Sequence, residues 1–369
     1  MNQVGIGIVG AGGIFEQHAR AVRECSPRAR LVAVCDLDEA RLADAANRHG
    51  IPAASRHHEQ LVTRDDVDLV VVCTPPSFHA AVVVDALAAG KHVICEKPLA
   101  HTLADADRII QAAQSRPGRL SVVYQFRHLT AVRRAVWLRD RGALGSLLSG
   151  RFHRFARFHR PGKPQRSGWW GRWDVAGGGA VMTQLIHELD LICLFFGRPG
   201  RVWAVADTLK EAIESEDTCA AVVQFETGAI CTAQATMSAH RSSAGFDLFG
   251  TDGSAHAPWS FECLDRDRRG ELRRAALEAV PDDPQDADRC AHTPYLAAVL
   301  DALEAGEPLP SGADQARLSL ELASAIYASS LSGEAVALPL EPGHPQYEGV
   351  EASDYATRRR GGREAVGVE

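Results

Sequence analysis

The sequence predicts an α/β chain: an N-terminal doubly wound parallel sheet, followed by a C-terminal α+β domain with a large, mostly antiparallel open sheet. Three observations predict it. Short, continuously apolar runs alternate with amphipathic stretches over the first third of the chain. A glycine-rich turn follows the first of these runs directly. After Gly145 the apolar runs lengthen and the segments between them become Gly and Asp turns.

In order along the chain, Val4–Val9, Leu31–Cys35, Leu69–Cys73, His92–Cys95 and Leu120–Tyr124 read as strands. His18–Glu24, Glu39–His49 and His79–Ala89 between them read as helices. Arg116-Pro117-Gly118-Arg119 breaks the chain, so the first domain is expected over 1–119 and the second over 120–340. In the second, Leu147–Phe158, Arg201–Asp207, Thr218–Glu226, Ala229–Met237 and Gly245–Gly250 read as strands. Thr227-Gly228 and Asp252-Gly253 are hairpin signals. Helix returns at Pro294–Ala305 and Ala313–Ser332, and residues 341–369 read as an extended tail.

The 369 residues are 46% hydrophobic and 24% charged, enough to bury a sizeable core in two domains. Lys plus Arg is 40 against 47 for Asp plus Glu, a net charge of -7 that argues against generic binding to nucleic acid or membrane. The 9 cysteines form no C-x-x-C pair and read as reduced, buried thiols. No targeting segment is read before Val4, and no apolar run reads as long enough for a bilayer, so the expected location is cytoplasmic.

Gly10, Gly12 and Gly13 follow the first strand and lead through Ile14 into a helix. In a G-x-G-x-x-G loop the first glycine makes the turn and the second admits the pyrophosphate, which sits at the helix N-terminus. Phe15 occupies the third glycine's place and should loosen the packing of that helix. Asp36 ends the second strand where a carboxylate takes ribose hydroxyls, which favours NAD over NADP; its alternative role is the N-cap of the helix from Glu39. This is a dinucleotide-binding, Rossmann-type arrangement. Thr74, Pro75 and His79 follow the fourth strand, and Glu96-Lys97-Pro98 follow the fifth. Ligands bind beyond the carboxyl ends of such strands, so Lys97 is the first candidate for acid–base work.

Gly10–Gly13, Thr74-Pro75 with His79, Gly90-Lys91-His92-Val93, Glu96-Lys97-Pro98, and Gly177 through Asp190 together resemble the Gfo/Idh/MocA family of glucose–fructose oxidoreductases and inositol dehydrogenases. Leu318–Ser330 and Val336–Leu340 match as well, so the resemblance spans roughly 4–340. It implies that Lys97, beside a cis Pro98, and His187 are catalytic, and that Glu96 and Gln125 line the cofactor. Arg127 and His292 would reach the substrate. The family's motif aspartate falls on Thr183, a variation resembling the branch that acts on pyranosides and nucleotide sugars. Trp170 matches the first member of a Trp-Arg pair at the nicotinamide, whereas Gly171 replaces the arginine. The family's open sheet face implies a homodimer or homotetramer.

The residues themselves agree with parts of this. Three glycines, 177–179, permit close approach of backbone to cofactor or substrate. Thr183 and His187, four residues apart, share a helix face, with Asp190 in a supporting place. His187-Glu188 opens like H-E-x-x-H, but the fifth residue is Leu191, so no zinc site is expected. Arg151, Arg154, Arg157, Arg160, Lys163, Arg166 and Arg172, interleaved with Phe152, Phe155, Phe158, Trp169 and Trp170, fit the pattern of single-stranded nucleic-acid binding, but the acidic total favours a solvated face or recognition of an anionic substrate. The expected function is NAD-dependent hydride transfer at a secondary hydroxyl of a sugar, nucleotide sugar or cyclitol. A non-catalytic cofactor sensor and an NAD-dependent glycosidase are the rivals; the presence of both Lys97 and His187 argues against the sensor.

Overall fold

The computed structural model describes residues 3–115, 119–158, 168–257, 262–266, 272–274 and 292–356. The chain divides into two compact units, one of Met1–Ala100, Ala104–His128 and Pro284–Arg317, the other of His101–Leu103, Leu129–Asp283 and Leu318–Glu369.

In the first unit, β1 (Val4–Val9), β2 (Ala29–Cys35), β3 (Ala53–Ser55), β4 (Leu69–Val72), β5 (His92–Cys95) and β6 (Leu120–Val122) form one sheet. Its order is β3-β2-β1-β4-β5-β6, with every pair parallel. The order reverses between β1 and β4, the point where doubly wound sheets open a ligand crevice at their carboxyl ends. Val70, Val71 and Ile94 are buried on both faces, which explains the unbroken apolar runs. Helices α1 (Phe15–Glu24), α2 (Glu39–His49), α3 (His58–Val62), α4 (His79–Ala88) and α5 (Leu103–Gln114) connect the strands.

Helix α9 (His292–Ala305), expected in the second domain, belongs to the first unit. Tyr295, Leu296, Val299 and Leu300 join the core around Ile6, Ile8 and Phe15. Arg28 adds hydrogen bonds to Asp301 (2.7 Å) and Glu304 (2.9 Å). The unit also continues past the expected cut at 119 to His128. Arg116, Pro117 and Gly118, which suggested that cut, lie outside the described residues.

The second unit is built on a nine-stranded sheet of order β14-β13-β12-β11-β7-β10-β9-β8-β15. These are β7 (Leu147–Arg157), β8 (Pro199–Asp207), β9 (Thr218–Phe225), β10 (Ile230–Thr236), β11 (Ser238–Gly250), β12 (Gly253–Ala257), β13 (Glu262–Arg266), β14 (Leu272–Arg274) and β15 (Val336–Ala337). The pairing is antiparallel except between β7 and β10, which run parallel in the middle. The hairpins fall at Thr227-Gly228 and Asp252-Gly253 as expected. Helices α6 (Thr130–Asp140), α7 (Trp173–Ala176), α8 (Ile186–Phe196) and α10 (Ala313–Ser332) complete the helical set, residues 313–317 of α10 counting with the first unit.

The helical run from Trp173 to Phe196 spans 24 residues and is long and apolar enough to cross a bilayer, contrary to the sequence reading; 89% of its most apolar window is buried inside the protein. It is a core segment covering the sheet. The chain after Pro342 also departs from the expected extended tail. Tyr347, Val350 and Tyr355 are buried, and Tyr355 packs its ring on Trp173. Residues 357–369 lie outside the described residues.

Candidate active site

The glycine loop stands at the carboxyl end of β1. Gly10 has φ +103°, and a Cβ there would lie 2.7 Å from the backbone of Cys73, so β1 and β4 approach closely only with glycine. A Cβ at Gly12 or Gly13 would meet nothing within 4 Å, leaving a backbone cradle open above the start of α1. Ile14 caps α1 without a side-chain hydrogen bond. Phe15 does not loosen α1: its ring is buried and meets His49 edge to face.

Asp36 accepts hydrogen bonds from the N–H of Ala11 (2.7 Å) and of Asp38 (2.9 Å), fixing its carboxylate against the glycine loop. The helix cap is Asp38, which accepts from Ala40 and Arg41. Asp36 is therefore not spent on the cap.

Beyond β4, His79 is fully buried between the carbonyls of Thr74 and Pro98, 2.9 Å from each. Burial pushes its imidazole below the ordinary value. His79 thus holds two loops together from behind and offers no face to a ligand, a correction to its expected place among the cofactor contacts. Thr74 and Pro75 are half-buried, and the Thr74 hydroxyl is buried with no hydrogen-bond partner among the described residues. The side-chain oxygen of Gln125, in the turn after β6, is in the same condition.

Glu96 is likewise a support rather than a lining residue. Its carboxylate is buried, 2.8 Å from His18 Nε2 and 3.6 Å from His292 Nε2, and its second oxygen accepts the Lys97 N–H at 3.2 Å. Burial raises such a carboxyl, but the hydrogen bond with His18 and the nearby imidazole of His292 outweigh it and hold Glu96 well below the usual carboxylate range. These three ligating atoms lie within 4.8 Å of one another, and the direct His18–Glu96 hydrogen bond fills the space between them. His292 is 3% exposed and packs edge-on against His18, so it is placed in this interior and not on a substrate surface. His18 was missed in the sequence because nothing local distinguishes it.

Lys97, half-buried at the end of β5, precedes a cis bond to Pro98. Arg127 donates to Gln315 at 2.7 Å, with its guanidinium over the Tyr124 ring.

In the second unit, Thr183 lies in a π-helical turn, Val181–Leu185, that runs directly into α8 and His187. Such turns widen the spacing between side chains and are frequent at functional sites. Thr183 and His187 are both buried, and the Thr183 hydroxyl donates to the Gly179 carbonyl at 2.7 Å. The preceding glycines serve the chain itself. A Cβ at Gly178 would lie 2.0 Å from the Tyr327 hydroxyl, and one at Gly179 1.8 Å from the Glu216 carbonyl. Glu216 is the second residue missed: fully buried, it accepts from Gly179, Val181 and Tyr327.

Trp170 is half-buried beside Trp169, ring centroids 5.2 Å apart. The arginine row divides. Arg151 pairs with Asp247, Arg154 pairs with buried Glu188, and Arg157 is exposed at the end of β7. Phe152 turns inward to stack on Phe246, which removes it from any ligand face. Arg160, Lys163 and Arg166 lie outside the described residues.

A parallel sheet with its switch point between β1 and β4, an open glycine cradle and a fixed carboxylate ending β2 define a dinucleotide-dependent oxidoreductase. Residues 4–124 match the model of the oxidoreductase family with the NAD-binding Rossmann fold, and residues 132–256 match the GFO/IDH/MocA C-terminal domain. The chain belongs to the Gfo/Idh/MocA family, and its cofactor is NAD. Levoglucosan dehydrogenase of Pseudarthrobacter phenanthrenivorans is 26% identical over 310 residues, covering 74% of this chain and 77% of that protein. The 1,5-anhydro-D-fructose reductase of Ensifer adhaerens is 28% identical over 342 residues, 89% of this chain and 97% of its own. Among solved structures, the WlbA dehydrogenase of Bordetella pertussis, in complex with NADH and UDP-GlcNAcA, shares the fold with a TM-score of 0.80 at 24% identity. The match covers 92% of this chain and 99% of that one.

Proposed function

We propose that this enzyme oxidises a secondary hydroxyl of a cyclic sugar or nucleotide sugar, or reduces the corresponding ketone. Lys97 and His187 handle the hydroxyl proton, and Thr183 orients the substrate. The observation that carries the reading is Lys97 at the carboxyl end of β5, on the same sheet edge as the glycine loop, with Glu96 locked behind it. The first unit holds the cofactor and the second the substrate.

The cofactor fits the residues present. Gly12 and Gly13 leave room for pyrophosphate over the α1 N-terminus, and Asp36 stands where ribose hydroxyls fall. The buried Thr74 hydroxyl and the Gln125 side-chain oxygen offer polar contacts that no described residue takes up. When bound, NAD supplies the hydride acceptor. The residues of the chain then bind and orient the carbinol carbon and take its hydroxyl proton, which must leave for the hydride to transfer. Trp170 frames the ring. Substrates named for the relatives, levoglucosan and 1,5-anhydro-D-fructose, are anhydro-sugars, which supports a pyranose-like ligand.

The outer face of the second sheet exposes Trp203, Val205, Val222, Ile230 and Phe249, apolar side chains that a second copy of the chain would cover in a homodimer or homotetramer. Free, buried thiols at seven of the described cysteines support a cytoplasmic location. The test of the activity is a panel of sugars, nucleotide sugars and cyclitols with NAD, followed by NADH absorbance. Turnover on a pyranose-type substrate is expected. Release of an aryl aglycone over many turnovers without net NADH formation would instead identify a glycosidase.

A further inference from the structure

We propose that Glu216 is a positioning residue for the reaction, fixing the N-terminal end of the helical run that carries Thr183 and His187. The role rests on the reading that those two side chains meet the substrate.

The first N–H groups of a helix have no partner within it. Here three successive ones, on Gly179, Ala180 and Val181, all donate to one distant residue. Gly179 reaches Glu216 Oε2 at 3.0 Å, Ala180 the Glu216 carbonyl at 3.0 Å, and Val181 Oε1 at 2.8 Å. A carboxylate at this end also meets the favourable pole of the helix dipole. Local caps come from the residue just before the helix. Glu216 instead stands at the mouth of β9, so it references the helix start to the sheet and not to the loop preceding it.

The geometry carries on to the reacting groups. The N–H of Gly179 is held by Glu216, and its carbonyl receives both the Thr183 N–H (3.0 Å) and the Thr183 hydroxyl (2.7 Å). One residue, Gly179, therefore links the Glu216 carboxyl to the Thr183 hydroxyl, and His187 follows one turn later on the same run. Tyr327 closes the arrangement by donating to Oε1 at 3.0 Å, its ring braced edge-on by Trp173. Gly178 and Gly179 are the residues that let Tyr327 and Glu216 come this near. Gly178 and Gly179 are thus matched to two residues distant in sequence, Tyr327 and Glu216, the latter 37 positions from Gly179.

Glu216→Gln and Tyr327→Phe in the full-length enzyme test this. Three readouts apply: NADH affinity by fluorescence titration, steady-state kinetics on the panel substrate, and amide hydrogen exchange across 179–187. Assayed at about pH 8, where the carboxyl is ionised, Gln turns one accepting oxygen into a donor facing an N–H, so kcat should fall about tenfold or more, the effect of one unsatisfied buried donor. NADH affinity should stay within about twofold, because the glycine loop is untouched. Exchange should rise at 179–187 while β9 and β10 stay protected. Tyr327→Phe keeps the three backbone bonds and should lower kcat by only about threefold. Glu216→Gln with wild-type exchange at 179–187 would overturn the proposal, whatever its rate. Raised exchange with wild-type kcat would overturn it too. If Thr183→Ala and His187→Ala are then also fully active, the failure lies in the reading of those residues.

Discussion

Glu216 makes a quantitative demand on stability that separates its ionisation from its role in catalysis. Burial raises its carboxyl from the usual 4.5 to about 7, against the opposing hydrogen bonds of Val181, its own backbone, Gly179 and Tyr327. A carboxyl with a raised folded-state value binds its proton more tightly folded than unfolded. Between pH 4.5 and about 7 the folded chain therefore holds a proton that the unfolded chain has lost, and stability falls as pH rises. At about 1.36 kcal/mol per pH unit, the contribution present below pH 4.5 and lost by pH 8 is roughly 3 kcal/mol. Glu216→Gln cannot titrate, so the effect appears in the difference between wild type and variant. Urea unfolding of both at pH 5, 6, 7 and 8 would measure it, with all other titrating groups cancelling. The wild-type advantage should shrink by roughly 3 kcal/mol from the acid to the alkaline end. A difference that is flat, or that grows with pH, would mean that four donors outweigh burial and that the carboxylate is ionised throughout.

Four other outcomes follow from the structure. Asp36→Ala should weaken NADH binding by about 1.5–3 kcal/mol, the size of a hydrogen bond to a charged group, and narrow the preference over NADPH; tighter NADPH binding by the wild type in fluorescence titration would contradict the placement of Asp36. Lys97→Ala and His187→Ala should each cut kcat about a hundredfold or more, and Thr183→Ala only about tenfold, with NADH binding intact in all three; a Thr183→Ala enzyme as inactive as Lys97→Ala would reverse the assigned roles. Gly179→Ala puts a Cβ 1.8 Å from the Glu216 carbonyl, so its thermal midpoint should drop well beyond that of a surface Gly→Ala change; an unchanged midpoint would show that β9 and the helix can part. Trp203→Glu with Val222→Arg should convert the protein to monomer by light scattering, and a wild-type monomer would remove the interface altogether.

What was legible in the sequence was local. Unbroken apolar runs gave β1, β4 and β5 because a strand buried on both faces needs no alternation. The glycines after β1 and the aspartate ending β2 were readable because their spacing is fixed by one strand, one turn and one helix. Glu39–His49 and Ala313–Ser332 were readable to the residue as helical stretches, although the cap of the first is Asp38 and not Asp36. What escaped depends on contacts between distant segments. Nothing in His292–Ala305 says that it packs on α1 rather than on the domain preceding it in sequence. The parallel seam between β7 and β10 is invisible because both strands alternate in the same way. The glycines at 177–179 were readable as a close approach, and within the chain it is Tyr327 that comes close at Gly178 and Glu216 at Gly179.

The two buried glutamates show why residue type alone could not assign these roles. Glu96 and Glu216 are both enclosed, both accept backbone N–H groups, and both stand behind a segment that carries a proposed catalytic residue. Their titration goes in opposite directions because their partners differ. Glu96 faces two imidazoles, groups that can carry a positive charge, and its ionised form wins over burial. Glu216 faces only neutral donors, three N–H groups and a phenol whose own proton burial holds firmly, so burial wins. The Glu96 carboxyl is therefore ionised across the neutral range, whereas that of Glu216 titrates within it. His18 and His292, of which only the second was a candidate substrate residue in the sequence, keep the Glu96 carboxyl ionised; among the described residues Glu216 has no such partner, so its charge follows pH.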